Sequence, residues 1–125
     1  MGEYSVRADV EHQRVYLRLA GLLSDDEMMR AADEFIAALR DMKSGFAVIN
    51  DISECKPLTQ KSTLEVKRAS EAAVERGMGI SMRVVGPSVT ATMQFNRNAN
   101  SVGYQTGTAK SVAEAEKMID DARKR

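Results

Sequence analysis

The residues best equipped for chemistry crowd into one stretch, Asn50 to Leu64, which reads NDISECKPLTQKSTL. Cys55 is the single cysteine, and Lys56 beside it is a cation of the kind that lowers a thiol's pKa and exposes a nucleophilic thiolate. Such a nucleophile also needs a base and a group to orient it, and the only histidine, His12, falls in a distant part of the chain. Asn50 and Asp51 close an apolar run, and with Ser88 of Gly86-Pro87-Ser88 they can offer hydrogen bonds to a small polar ligand held between two helix starts. The same side chains also serve to cap the amides of their own loops. Thr59 and Ser62 have the spacing of hydroxyls that cap a helix N-terminus. A serine placed there can equally carry a phosphate, whose charge of about −2 meets free amides and the positive end of the helix dipole.

Other groupings carry less. The pairs Asp25-Asp26 and Asp120-Asp121 contain the carboxylates that acid/base work needs, but both fall at helix ends and read as solvated surface. Arg97 between Asn96 and Asn98 can grip an anion or simply finish a polar helix end. One histidine and one cysteine give no zinc spacing, and no glycine-rich phosphate fingerprint is present, so neither metal nor cofactor is expected.

The whole-chain numbers narrow the classes further. A chain of 125 residues suits one domain spanning 1–125, and at that size a single hydrophobic core suffices. Lys plus Arg and Asp plus Glu both number 18, so the overall balance points away from nucleic acid. One cysteine suits a reducing compartment, and the absence of a leader or a long apolar window leads to the expectation of a cytoplasmic protein with no integral membrane segment.

The elements that must position these residues follow from periodicity. Tyr4 to Val10 alternates and Val15, Leu17 and Leu19 repeat the pattern, which predicts an antiparallel hairpin with His12 at its tip. Ser24 and Glu27 form a capping box ahead of a stripe of Met28, Ala32, Phe35, Ile36, Leu39 and Met42, a helix ending near Lys43. Phe46 to Ile49 is a continuous apolar run, the pattern of a strand covered on both faces and so central to its sheet. A second helix places Val66, Ala69, Ser70, Ala73 and Val74 inward and ends at Gly77, with Leu64 on its outer side. Ile80 to Val85 predicts a fourth strand, followed by a helix from Pro87 with Ala91, Phe95, Ala99 and Val102 on one stripe and Val89 with Met93 on another. Tyr104 to Thr108 reads as a short edge strand. Ser111 and Glu114 open a last helix with Val112, Ala115, Ile119 and Ala122 inward and Arg123, Lys124 and Arg125 at its end. The expectation is an α/β fold with an N-terminal hairpin, a mostly parallel sheet of about five strands, and four helices.

That order of elements, with a loop and helix after the central strand, resembles the STAS domains of bacterial anti-sigma-factor antagonists and anion transporters, from VYLRLAG through the last helix. In the phosphorylatable members a D-S-S-G or D-S-T-G signature opens the helix after the central strand. Aligning Leu64 and Val66 with the apolar residues after it puts Gln60, Lys61, Ser62 and Thr63 on the signature, with Ser62 on the phosphoacceptor. Gln60 replaces the Asp, Lys61 a small hydroxyl residue and Thr63 the Gly. The resemblance implies a non-catalytic regulatory domain that docks a protein partner through the 52–59 loop and the helix outer face, with Lys56, Thr59, Ser62 and Leu64 at the contact. A homodimer through the hairpin edge fits the same picture. The alternative, implied by a topological likeness to lipid-handling domains, is a carrier with an apolar cavity between the Met28 to Met42 helix and the sheet.

Overall fold

The computed structural model describes residues 2–124; Met1 lies outside the described residues, as does Arg125, the last of the cations expected to finish the final helix. In chain order they form β1 (Glu3–Asp9), β2 (Arg14–Gly21), α1 (Asp25–Ala38) with a 3₁₀ turn (Leu39–Asp41), β3 (Ala47–Cys55), α2 (Gln60–Arg76), β4 (Ile80–Val84), α3 (Val89–Val102), β5 (Gly107–Ala109) and α4 (Val112–Arg123). The sheet runs β1-β2-β3-β4-β5, with β1 and β2 antiparallel and every other pair parallel. This is the α/β architecture the periodicities predict, with β3 at the centre of the sheet.

Strand order explains the layering. From β2 onward the chain steps across the sheet in one direction, and right-handed crossovers then send every connecting helix to the same face. Accordingly α1, α2 and α3 pack together on one side, where Leu19, Met28, Phe35, Val48, Ala69 and Phe95 are buried. Helix α4 follows the last strand, so it is free of that constraint and covers the other face through Ala115 and Ile119 against Ala47, Ile49, Met82 and Val84. Ala47 and Val48 are 0% and 5% exposed on opposite sides of β3, as a doubly covered strand requires. No helix among the described residues is long and apolar enough to cross a membrane.

Local signals account for the helix boundaries. Ser24 accepts from the Glu27 amide while Glu27 returns a bond to the Ser24 amide, and Met28, Ala32, Phe35, Leu39 and Met42 are all buried behind that box. Gly77 ends α2 at φ 103°, the left-handed conformation that glycine adopts without strain. Ser111 accepts from the Glu114 amide to start α4.

Two boundaries and one helix face differ from the periodicity. The apolar run Phe46 to Ile49 continues as strand to Cys55, because β2 supplies pairing as far as Ala20↔Glu54 and Gly21↔Cys55 past a register shift between Arg18 and Ala20. Ladder bonds on both sides override the poor strand propensity of Asn50 and Asp51. The edge strand lies at Gly107–Ala109 rather than Tyr104 to Thr108, since Tyr104 follows the α3 cap at Gly103 and Thr106 bonds to Ser81 instead. In α2 the inner stripe includes Ser62, Ala69 and Ala73, while Val74, expected inside, is 40% exposed. Helix α3 buries Ala91, Phe95 and Ala99 and leaves Val89 and Met93 outside.

Candidate ligand site between the helical layer and the sheet

The small residues of α1 and α2 set the geometry. Ala31 and Ala32 on one helix and Ala69 and Ala73 on the other bring the pair close together, but their short side chains do not fill the space above β2, β3 and β4. A cavity of about 50 Å³ remains, with Leu17, Leu19, Phe35, Val48 and Phe95 on its walls. Its polar lining is Asn50, Ser70, Ser81, Arg83 and Tyr104, with Glu65 at the α2 side.

Arg83 dominates that polar end. It is the penultimate residue of β4, 2% exposed, and forms no ion pair among the described residues. One Nη donates to Asn96 Oδ1 at 2.6 Å and the other to the Phe95 carbonyl at 3.1 Å, while the guanidinium lies 5.6 Å from the Phe95 ring centroid. Nε is buried with no partner. Desolvation pulls the Arg83 pKa down, and the neighbouring Tyr104 hydroxyl offsets part of that pull. Glu65, the carboxylate on the cavity wall, is committed to Arg68 at the surface. On β3, Asn50 is the residue paired with Arg83, and its Oδ1 is likewise buried without a partner. Asn98, 8% exposed, donates to Ser70 Oγ at 2.9 Å and closes the rim between α2 and α3.

The residues singled out from the sequence separate across the molecule. Asn50 and Asp51 were expected at one small-ligand site, yet both lie within β3, whose period of two sends Asn50 into the cavity and Asp51 to the opposite side of the sheet. There Asp51 Oδ1 accepts from the Ser53 amide at 3.0 Å and from its hydroxyl at 2.6 Å. Ser88 caps α3 by accepting from the Ala91 amide at 3.2 Å. The strand order never reverses, so the crevice that an order switch opens at strand ends is not formed there. Gly86 instead packs so tightly on β3 that a Cβ would lie 1.8 Å from the Ser53 carbonyl oxygen.

Ser62 is the largest correction. Expected at an exposed helix start, it is 0% accessible. Thr59 caps α2 by accepting from the Ser62 amide at 3.0 Å, and the Ser62 hydroxyl donates to Asp25 Oδ1 at 2.8 Å. Thr59 Oγ1 donates to the same oxygen. These bonds, Thr59 first and Ser62 second, hold the Asp25 pKa below the usual carboxylate value, with Lys61 adding to them. Asp25 is therefore no idle surface charge: it ties the N-termini of α1 and α2 together. Asp120 is solvated as expected, its side chain 53% exposed, and it also pairs with Arg14, which is 5% exposed.

Cys55 ends β3 rather than sitting in a loop, and at 2% exposure its thiol is pushed up to about 11 by burial. Lys56 is exposed and does not offset that burial. His12 is exposed at the hairpin tip, bonded to Asp9 at 2.9 Å. Leu64 is 62% exposed, on the outer face where the helical pattern puts it, and Met29 of α1 is 44% exposed. A surface groove beside Leu64 is lined by Lys67, Gln94 and Arg97.

Sequence reasoning did not single out Arg83. The available signal was a cation at an inward position of the strand ISMRV, where every neighbour is apolar or small. A scan of the chain against protein-family models and a search of curated proteins find no match.

Proposed function

We propose that this chain is a non-catalytic binding domain that holds a small, largely apolar ligand between its helical layer and its sheet, the carrier function first raised by topological likeness. The observation that carries the reading is the cavity of about 50 Å³ walled by Leu17, Leu19, Phe35 and Val48, with a few convergent polar groups at one end. Its size is about a third of the roughly 150 Å³ that admits benzene, so the ligand is compact. A full-length lipid chain requires α1 and α2 to part. The absence of catalysis is supported by a thiol held protonated by burial and by His12 lying on the hairpin tip, away from Cys55. Residence in the cytoplasm belongs to the same proposal, supported by the single free cysteine.

The test is NMR of methyl-labelled protein equilibrated with xenon, an apolar probe that enters cavities of this kind. Shifts confined to Leu17, Leu19 and Val48 methyls are expected; unchanged methyls at saturating xenon would rule the cavity out as a binding site.

A second reading, a STAS-like domain docking a protein partner, is favoured by the exposed Leu64 beside the groove formed with Lys67 and Arg97. The element order supports it as well. The burial of Ser62 against Asp25 argues against a phosphoserine switch within it. Self-association along the outer edge of β1 falls under the same reading.

A further inference from the structure

We propose that Arg83 and Asn50 form the head-group site of the cavity and that its ligand is the anion of a short-chain monocarboxylic acid, an assignment that rests on the cavity reading above. Two buried polar atoms on facing residues of β3 and β4, Arg83 Nε and Asn50 Oδ1, lack partners, and both residues line the same cavity. A buried polar group without a partner is uncommon in a native protein and calls for an explanation. The two orphans share a position but are opposite in kind: Arg83 Nε–H donates and Asn50 Oδ1 accepts, so a carboxylate answers the first and engages Asn50 only with its amide turned to present Nδ2.

The chemistry of the two groups narrows that ligand. A guanidinium is a planar fork of donors that no accessible pH deprotonates, and it matches a carboxylate's two oxygens. The Asn50 amide presents either a donor or an acceptor edge by rotating about its terminal bond, so it can bond a carboxylate oxygen or the hydroxyl of a hydroxy acid. One unpaired cation balances one negative charge. A phosphate dianion would leave a second charge uncompensated among Leu17, Val48 and Phe95, because no cation besides Arg83 lines the cavity among the described residues. The aliphatic walls suit a short alkyl tail, and with about 50 Å³ free an acid of propionate size is the upper bound and enters only as α1 and α2 give way. A bridging water is the competing occupant, since a polar pocket of this volume holds water readily.

The experiment titrates the full chain with sodium propionate, propionamide and 1-propanol at constant ionic strength, following the Arg83 Nε–Hε resonance and the Leu17 and Val48 methyls. Propionate is expected to saturate all three signals, with the neutral analogues weaker by about tenfold or more, because charge-assisted bonds to a buried guanidinium are the stronger kind. Two variants test the assignment. Arg83→Met should abolish the preference for propionate yet still admit xenon. Asn50→Asp places a permanent carboxylate opposite Arg83 and should exclude propionate while raising the melting temperature. Equal binding of propionamide, or propionate affinity unchanged in Arg83→Met, would overturn the head-group assignment and leave the cavity standing. Chloride or inorganic phosphate competing as well as propionate would mean an adventitious ion only. No ligand shift in a protein that admits xenon would assign the two atoms to a bridging water, and exclusion of xenon as well would remove the cavity reading itself.

Discussion

Asp25 and Ser62, at the first turns of α1 and α2, share a hydrogen bond of 2.8 Å in which a hydroxyl with no solvent exposure donates to a carboxylate. The bond joins the two helices that roof the cavity at their N-terminal ends.

Ser62 variants report on that junction. Ser62→Ala removes a hydroxyl that bonds inside the protein and should cost about 1 kcal/mol in urea denaturation. Ser62→Asp, the usual imitation of phosphoserine, sets a second carboxylate against Asp25 in a space that excludes water, and should lower stability far more than alanine does. An aspartate variant as stable as the wild type would mean that the helices part easily there.

Acid stability should depend on Asp25. Its folded pKa lies below 3.8, so the unfolded chain takes up the proton first as pH falls. The stabilisation is present above pH 3.8 and is lost as pH drops through the folded value. Asp9 and Glu27 shift in the same direction through bonds to the His12 and Ser24 amides. The gap in melting temperature between wild type and Asp25→Asn should be widest near about pH 6 and close progressively below pH 3.8. A gap that does not change with pH would mean that the Thr59 and Ser62 bonds do not depend on the carboxylate charge.

Arg83 should matter for binding and little for folding. Its Nη partners are the Phe95 carbonyl, inside a helix, and Asn96, which reaches water, so Arg83→Met leaves no orphaned acceptor. The variant also removes a charge that desolvation disfavours, and its stability should fall within about 1 kcal/mol of wild type or exceed it. A loss of more than about 3 kcal/mol would identify Arg83 as a structural residue.

The Cys55 thiol should react slowly with iodoacetamide in the folded protein at neutral pH and rapidly in urea. Burial holds it protonated up to about pH 11, against 9.0 for a free thiol, so folding is favoured below pH 9.0 and that contribution is lost as pH rises through 11. Labelling of the native protein as fast as that of the denatured chain would contradict the burial.

Leu64→Ser should leave stability within about 0.5 kcal/mol, because the residue is already 62% exposed. A partner captured by the wild-type protein and lost with this variant would support docking at the α2 groove.

The amino-acid sequence by itself determined what depends on near neighbours. The Ser24 capping box, the Met28 to Met42 stripe, the Gly77 cap and the doubly buried Ala47 and Val48 all follow from hydrogen bonds and facing patterns a few residues long. The outward position of Leu64 was legible on the same ground. What lay beyond it were the meetings of residues far apart in the chain. Continuation of β3 through Asn50 to Cys55 depends on pairing offered by β2 and β4, and the resulting register alone decides that Asn50 faces Arg83 while Asp51 faces away. Burial of Ser62 depends on where the crossover sets α1 against α2. Periodicity fixes the face on which a side chain lies, because that face is a property of local backbone geometry. Only strand register and helix packing, which are long-range, decide what stands opposite it.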